Sequence, residues 1–418
     1  MEGAYMREII AAIDIGSSKI KLVVAEMLGE KFNVLCALSE ESRGVKKGAI
    51  CEPDETGYSI KKLLKKAEEM LGTKISKALV NVNEDSADFK IGDGSVTITA
   101  DDKEITVGDI TRVLKASVGE NIHKGNDLVT VIPISFKVDG VKVHNPKEMK
   151  GSKLSVKSVI VSVPKREIYT VAKCLEKVGV EVVDVMIPSI GTYWAHKNES
   201  MDTTTGIVID LGYDTTKISV FNKGIIVNNL VIGVGGKNVD NDISFIYKLS
   251  QEQSKKLKET LALANKKNAR ESEKENLVNT LGQKITINQK EITEVVMSRL
   301  HEMLNMAKNE INYLTKKEIS YIIISGGLSE LRDFPLEVES VFGTKADVGK
   351  IMVVGARDNE YATAIGMIKF FDYKLKLRDR EFSTFTADEI ETICGGSEKR
   401  INLGDSVLGK VFGIFFDN

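Results

Sequence analysis

Two short stretches bring together an aspartate, a glycine and hydroxyl or ammonium groups: AIDIGSSKI, residues 12–20, and VIDLGYDTTKI, residues 208–218. A tight turn of this composition aims successive backbone N–H groups and small hydroxyls at one point, a nest suited to phosphate oxygens. In the first, Gly16, Ser17 and Ser18 form the tip and Lys19 adds a point charge; in the second the same places fall to Gly212 and Thr215. Asp14 and Asp210 repel phosphate directly, but they can hold Mg²⁺ through its waters. Two such hairpins facing one another would clamp a phosphate–metal group. A third turn, SGGLSEL, holds Gly326 and Gly327, where the missing Cβ atoms let a flat ligand group approach the backbone. Each turn alone is commonplace. The ordered set of three points to one site.

The elements that position these turns repeat. Segments 9–27 and 206–224 each read as strand, Asp-x-Gly turn, strand, and their aspartates lie 196 positions apart (14 to 210). Such an echo predicts two related lobes rather than one sheet. After the first hairpin come a basic loop, SRGVKKGAI, an amphipathic helix over 58–71 and a strand, KALVNVN. From about 85 to 163 the texture changes to short strands with turns around one helix, 107–118, which reads as a small α+β module set into the first lobe. The lobe resumes with a helix (KREIYTVAKCLEKVG), a strand (VEVVDVMI) and a linking helix (PSIGTYWAHK). In the second lobe, 241–314 is rich in Lys, Glu, Asn and Gln and is expected to be mostly helical. Its clearest helix is 290–314, with Ile292, Val295, Val296, Leu300, Leu304 and Ile311 on one face. A strand–turn–helix follows over 320–334 and a helix over 359–371; residues 384–404 turn polar and patternless and are expected to be a flexible linker.

The totals narrow the classes. At 418 residues the chain has room for two to four compact units, since single cores stop growing near roughly 250–300 residues. A formal charge of −2 argues against a nucleic-acid partner. The four cysteines (36, 51, 174 and 394) include no CxxC pair and the four histidines are scattered, which suits a reducing compartment and gives no metal site. No apolar run reaches the length needed to span a bilayer, and the start of the chain does not read as a signal peptide. A cytoplasmic location is expected, with any membrane attachment peripheral.

The end of the chain, SVLGKVFGIFFDN, suggests such an attachment. Wound as a helix at about 100° per residue, Val407, Leu408, Val411, Phe412, Ile414, Phe415 and Phe416 share one broad face, opposite Gly409, Lys410 and Gly413. The two glycines each cost about 1 kcal/mol relative to alanine, so the segment should fold only where an interface buries its aromatic face. From Glu398 onward three basic residues balance three acidic ones. Lipid binding is therefore expected to be weak and to gain strength from many copies side by side.

The order of these motifs is similar to that of the actin–hexokinase–Hsp70 ATPase superfamily: phosphate 1 at 13–19, connect 1 near 187–195, phosphate 2 at 209–217, adenosine at 325–328 and connect 2 at 361–371. Within it the chain resembles the bacterial FtsA family. The resemblance lies in the place of the inserted module, in SRGVKKGAI, in FKVDGVKVHNPKEMKGSKLSV and in IGVGGKNVDNDI, and it covers nearly the whole chain. It implies an α/β, actin-like two-lobed fold with an inserted α+β subdomain 1C and a C-terminal amphipathic helix. Subdomain 1A would take 6–84 and 164–205, 1C 85–163, 2A 206–240 and 318–383, and 2B 241–317. The linker would span 384–405 and the membrane helix 406–418. It also implies ATP and Mg²⁺ in the interlobe cleft, with Gly235, Gly236 and Lys258 joining the turn residues. Self-polymerisation through 1C, docking of the FtsZ C-terminal tail on 2B, further division proteins and membrane lipid at the division site complete the implied set.

Departures matter. The family's second phosphate turn usually carries a glycine where Asp214 stands and an acid where Lys217 stands; Asp240 replaces a common threonine, and Lys255 takes the place of a ribose-holding glutamate. The charge of Asp214 would then need Mg²⁺ or Lys217 to offset it. No residue can be assigned as base for an attacking water, so efficient hydrolysis is not expected. Two alternatives stand beside this reading: an actin-fold assembly protein similar to PilM that binds a partner peptide, and a small-molecule kinase of the same superfamily.

Overall fold

Hairpins form where alternating β-branched runs flank a turn of small and polar residues, and both Asp-x-Gly segments of this chain do so. The computed structural model describes residues 7–29 and 31–400. The first lobe opens with a meander of β1 (Glu8–Ile15), β2 (Lys19–Leu28) and β3 (Lys31–Glu41). A two-residue pair, β4 (Val45–Lys46) and β5 (Ala49–Ile50), leads into helix α1 (Pro53–Leu71) and then β6 (Lys77–Asn81). The inserted module carries β7 (Asp88–Thr97), α2 (Val107–Val118), β8 (Asn126–Val138), β9 (Val141–Val143) and β10 (Lys153–Pro164). The lobe closes with α3 (Lys165–Lys177), β11 (Glu181–Met186) and α4 (Pro188–His196). Its main sheet has the order β11-β6-β1-β2-β3, and the module has its own sheet, β7-β10-β8-β9.

The second lobe repeats the meander as β12 (Thr205–Leu211), β13 (Thr216–Asn222) and β14 (Ile225–Ile232). Helices α5 (Gly236–Tyr247) and α6 (Gln251–Thr260), a hairpin of β15 (Lys274–Val278) and β16 (Lys284–Asn288), and the long α7 (Gln289–Leu314) follow. Then come β17 (Tyr321–Ser325), α8 (Phe334–Phe342), β18 (Ala346–Val348), α9 (Ala362–Leu377) and α10 (Ala387–Arg400). The sheet order β14-β13-β12-β17-β18 places β12 between its antiparallel hairpin partner and the parallel β17, just as β1 lies between β2 and β6.

Each lobe has its own core. Ile9 to Ile13 of β1 are fully buried in the first, with Leu22 to Val24 of β2 and Ile60 and Leu63 of α1; Ile207, Ile209, Val296 and Leu300 centre the second. The lobes meet where α4 crosses α9. A Cβ on Gly366 would lie 1.6 Å from the Gly191 carbonyl oxygen, so only glycine lets these two helices pass.

One expectation is refined and one is corrected here. Residues 241–314 are mostly helical, as expected, through α5, α6 and α7, but β15 and β16 pair as a hairpin over 274–288. Ile alternates with Lys, Thr and Asn in β16, but the hairpin is mostly exposed, and its polar faces disguise a strand as a solvated helix. Residues 384–400 are not a free linker. β6 pairs with β1 only at Ala12 and Ile13, and the chain end satisfies the edge it leaves. The Thr384 N–H donates to the Ile9 carbonyl at 2.9 Å, and the Ala11 N–H donates to Thr384 Oγ1 at 2.9 Å. Thr384 and Phe385 are buried, and α10 starts behind a Thr386–Glu389 cap. The apolar tail, 406–418, lies outside the described residues. Among the described residues, no helix is long and apolar enough to cross a membrane.

Candidate functional site

The two Asp-x-Gly turns line one cleft between the lobes. In the first, the Gly16 N–H donates to the Lys19 carbonyl (3.2 Å) and closes the tip; in the second, the Gly212 N–H donates to the Thr215 carbonyl (3.0 Å). Hairpin register then sets the chemistry. Asp14 pairs across the strands with Lys21, and Asp210 with Lys217. Lys21 Nζ lies 3.0 Å from Asp14 Oδ2, and Lys217 Nζ lies 2.9 Å from Asp210 Oδ2. The sequence echo therefore extends to a carboxylate–ammonium pair in each lobe. A signal for it exists in the sequence, since in both hairpins the lysine follows its aspartate by seven residues, symmetrically about the turn.

The parallel strands finish the two pairs differently. At the end of β6, Asn81 Nδ2 donates to Asp14 Oδ1 (2.9 Å), while its Oδ1 accepts the Ile15 N–H (2.7 Å). Three residues on, Glu84 is 1% exposed; its Oε2 accepts the Ser189 N–H at 3.1 Å, and its Oε1 lies 4.0 Å from Lys217 Nζ. Burial raises the Glu84 pKa above the usual carboxylate range, with the Lys217 charge opposing that rise. Burial also works against the charge on Lys217, but Asp210 and Glu84 outweigh it and hold the ammonium protonated well above the ordinary lysine range. Sequence reading missed Lys21, Asn81 and Glu84. The last two could have been sought at the carboxyl end of a parallel strand, where open α/β sheets place ligand contacts.

Several of the remaining cleft residues link the lobes. Lys19 is paired with Glu360 at 2.8 Å. Ser17 Oγ accepts the Gly48 N–H at 3.0 Å, and Ser18 Oγ accepts a hydrogen bond from Lys255 of α6 at 3.2 Å. Asp214 Oδ2 accepts the Lys47 N–H from the first lobe at 2.9 Å, and Lys237 lies 3.8 Å from its other oxygen. Lys217 is thus the partner of Asp210, and the charge of Asp214 is met from elsewhere. Lys258 lines the cleft, yet its ammonium sits 2.8 Å from the fully buried Asp240. Burial raises the Asp240 pKa and Lys258 opposes that rise. Beside Lys258, Glu259 brings a carboxylate to the cleft that the sequence reading did not single out.

The glycines divide into lining and packing positions. Gly326 has φ +97°, and a Cβ there would meet Asp210 Oδ1 at 2.5 Å. Gly327 and Gly236 also line the cleft, whereas Gly235 does not: it packs against the second turn, where a Cβ would lie 2.4 Å from the Tyr213 carbonyl oxygen. Thr215 lines the cleft as well.

A Mg²⁺ ion held through water would find the two aspartates unequal. Both oxygens of Asp14 already accept hydrogen bonds, from Lys21 and Asn81. Asp210 has Oδ2 on Lys217 and turns Oδ1 toward Gly326, so Asp210 fits the ion better. Among the described residues, no group of three or more His, Cys, Asp or Glu side chains could hold a metal directly.

Residues 207–366 match the model of the family described as cell division protein FtsA, and residues 88–162 match that of the SHS2 domain inserted in FtsA. The chain is 29% identical over 377 residues to cell division protein FtsA of Bacillus subtilis (strain 168), spanning 90% of this chain and 86% of that one. It is 26% identical over 362 residues to cell division protein FtsA of Streptococcus pneumoniae (serotype 2, strain D39), spanning 86% and 79%. Solved structures share the fold at low identity. The PilM–PilN type IV pilus biogenesis complex gives a TM-score of 0.59 at 14% identity, covering 86% of this chain and 98% of that one. MreB5 of Spiroplasma citri bound to ADP gives 0.55 at 13% identity, covering 88% and 97%. The two lobes, the echoed hairpins and the inserted SHS2 module are an actin-like architecture, and with these family matches the chain belongs to the FtsA family of cell-division proteins.

Proposed function

We propose that this chain binds ATP in the interlobe cleft, assembles with copies of itself and links FtsZ filaments of the division ring to the cytoplasmic membrane. One observation carries the nucleotide reading: two Asp-x-Gly turns from different lobes and the Gly326–Gly327 turn all line a single cleft. Backbone N–H groups of the two tips, Ser17, Ser18 and Thr215 would take phosphate oxygens, while Lys255 and Lys19 supply positive charge. Gly326 and Gly327 would admit the flat base, and Glu259 offers a carboxylate to ribose hydroxyls. Asp210 would hold Mg²⁺ through water, and that ion supplies neutralisation of phosphate charge. Membership of the FtsA family favours this over a PilM-like assembly role.

The module at 85–163 would carry self-association, 241–317 would dock the FtsZ C-terminal tail, and 406–418 would fold on lipid. Titration of Mg·ATP onto wild type and Asp210→Ala tests the cleft: the variant should bind at least about tenfold more weakly, the loss of one charge-assisted contact. Equal affinity would overturn the site. Deleting 406–418 should release the protein from vesicles without changing ATP affinity; unchanged pelleting would sink the tether.

A further inference from the structure

Buried polar atoms are almost always hydrogen bonded, and each exception needs a reason. Among the described residues, several buried side-chain oxygens and nitrogens have no hydrogen-bond partner, and one of them belongs to a residue lining the interlobe cleft: Glu84 Oε1. Its sister oxygen is fixed by the Ser189 N–H at the start of α4, which locks the direction of the free one. Lys217 lies 4.0 Å away, beyond hydrogen-bond reach, and is itself held by Asp210. The cleft floor therefore presents a rigid acceptor with a vacant lone pair, next to an ammonium and beside both phosphate turns. A water molecule satisfies such a place, since it needs two or more polar partners and some room. Thr192 and Thr363 of the crossing helices also line this cleft.

We infer that Glu84 is a catalytic residue for ATP hydrolysis in this cleft, its Oε1 holding and orienting the water that attacks the γ-phosphorus. This rests on the nucleotide reading above. The water oxygen forms the new bond to Pγ as the bond from Pγ to the β,γ-bridging oxygen breaks, and ADP leaves with that electron pair. One water proton stays on the attacking oxygen. The other passes to Glu84 Oε1 and then to the released phosphate, so Glu84 returns to its carboxylate form and ATP⁴⁻ and water become ADP³⁻ and H₂PO₄⁻. Lys217 keeps Glu84 and Asp210 apart in charge and acts as a positioning residue.

No local motif singles out this residue, because Glu84 lies outside every glycine turn and comes to the cleft through the parallel pairing of β6 with β1. The alternative role is a structural ion pair with Lys217, and the two roles separate by experiment. In single-turnover assays with saturating Mg·ATP, Glu84→Gln should lower the hydrolysis rate by about a hundredfold, the lower end of general-base contributions. Its ATP Kd should stay within about threefold of wild type. Glu84→Asp keeps the charge beside Lys217 but withdraws the oxygen, and should cost about tenfold in rate with Kd again unchanged; it decides the matter if the glutamine variant does not fold. Rates equal to wild type in either folded variant would overturn the inference, as would losses in Kd and thermal stability that account for the loss in rate. Wild-type protein that binds ATP without turnover above an enzyme-free blank overturns this inference alone. Wild-type protein that binds no ATP overturns it together with the nucleotide reading.

Discussion

The two lobes solve one problem with the same hairpin and then diverge. In the first, Asp14 has Lys21 on one oxygen and the neutral amide of Asn81 on the other, so one cation serves one anion. In the second, Lys217 stands between Asp210 and Glu84, so one cation serves two buried or half-buried anions drawn from both lobes. Aligned by their aspartates, the tips diverge too: Ser18 of the first occupies the place of Asp214 in the second. A motif repeated in sequence and backbone therefore need not repeat in electrostatics. The strand packed beside each hairpin decides what its carboxylate can do.

The largest effect should come from removing the shared cation. Lys217→Met strips Asp210 and Glu84 of their common partner, and breaking a buried ion pair from one side costs roughly 3–5 kcal/mol. Lys21→Met strips Asp14 alone, which keeps Asn81, so the expected loss is nearer 1 kcal/mol. Urea denaturation of both variants measures the difference. Equal losses would mean that Glu84 contributes nothing to the second hairpin's charge balance.

A pH series sharpens the same contrast. Burial already raises the Glu84 pKa, and Lys217 restrains that rise. Without Lys217 the folded state should hold a proton on Glu84 at a pH where the unfolded chain does not. Where the native state binds more protons than the unfolded state, stability rises as pH falls. The Lys217→Met deficit relative to wild type should therefore shrink as pH is lowered from neutrality toward 4.5, the ordinary value of a glutamate carboxyl. A deficit that stays constant or grows on acidification would contradict the assignment of Lys217 as the charge that restrains Glu84.

What the sequence disclosed follows the range of the interactions involved. The hairpins, α2 and most of α7 are local patterns, and alternation or 3.6-residue periodicity reveals them without knowledge of neighbours. The partners of Asp14 and Asp210 needed only the hairpin register, one step beyond local pattern. Asn81 and Glu84 needed the strand order, because β6 reaches β1 across the intervening α1. The docking of Thr384 on β1 joins residues more than 370 positions apart. Polar composition at 384–404 hid that contact because it is made mainly by backbone and hydroxyl groups. Its one local signal is the Thr386–Glu389 cap. The exposed hairpin of β15 and β16 hid for a related reason: with little burial on either face, its alternation resembles surface helix.

The smallest effect should come from making the tips alike. Asp214 bridges the lobes through the Lys47 N–H, as Ser18 does through Lys255, so each tip uses its side chain to hold the opposite lobe. A serine at 214 keeps a hydroxyl acceptor in that role but removes a negative charge from the cleft lining, near the place proposed for phosphates. At an effective dielectric between those of surface and water, one charge at about 8 Å is worth roughly 0.5–2 kcal/mol before screening. Asp214→Ser should therefore tighten ATP binding by a few-fold and shift stability by less than about 1 kcal/mol. The gain should fade as ionic strength rises, because the Debye length falls from about 10 Å at 0.1 M salt to about 3 Å at 1 M. Weaker binding in the serine variant at low salt would mean that Asp214 assists the nucleotide, by holding the cleft closed through Lys47 more than its charge opposes the phosphates.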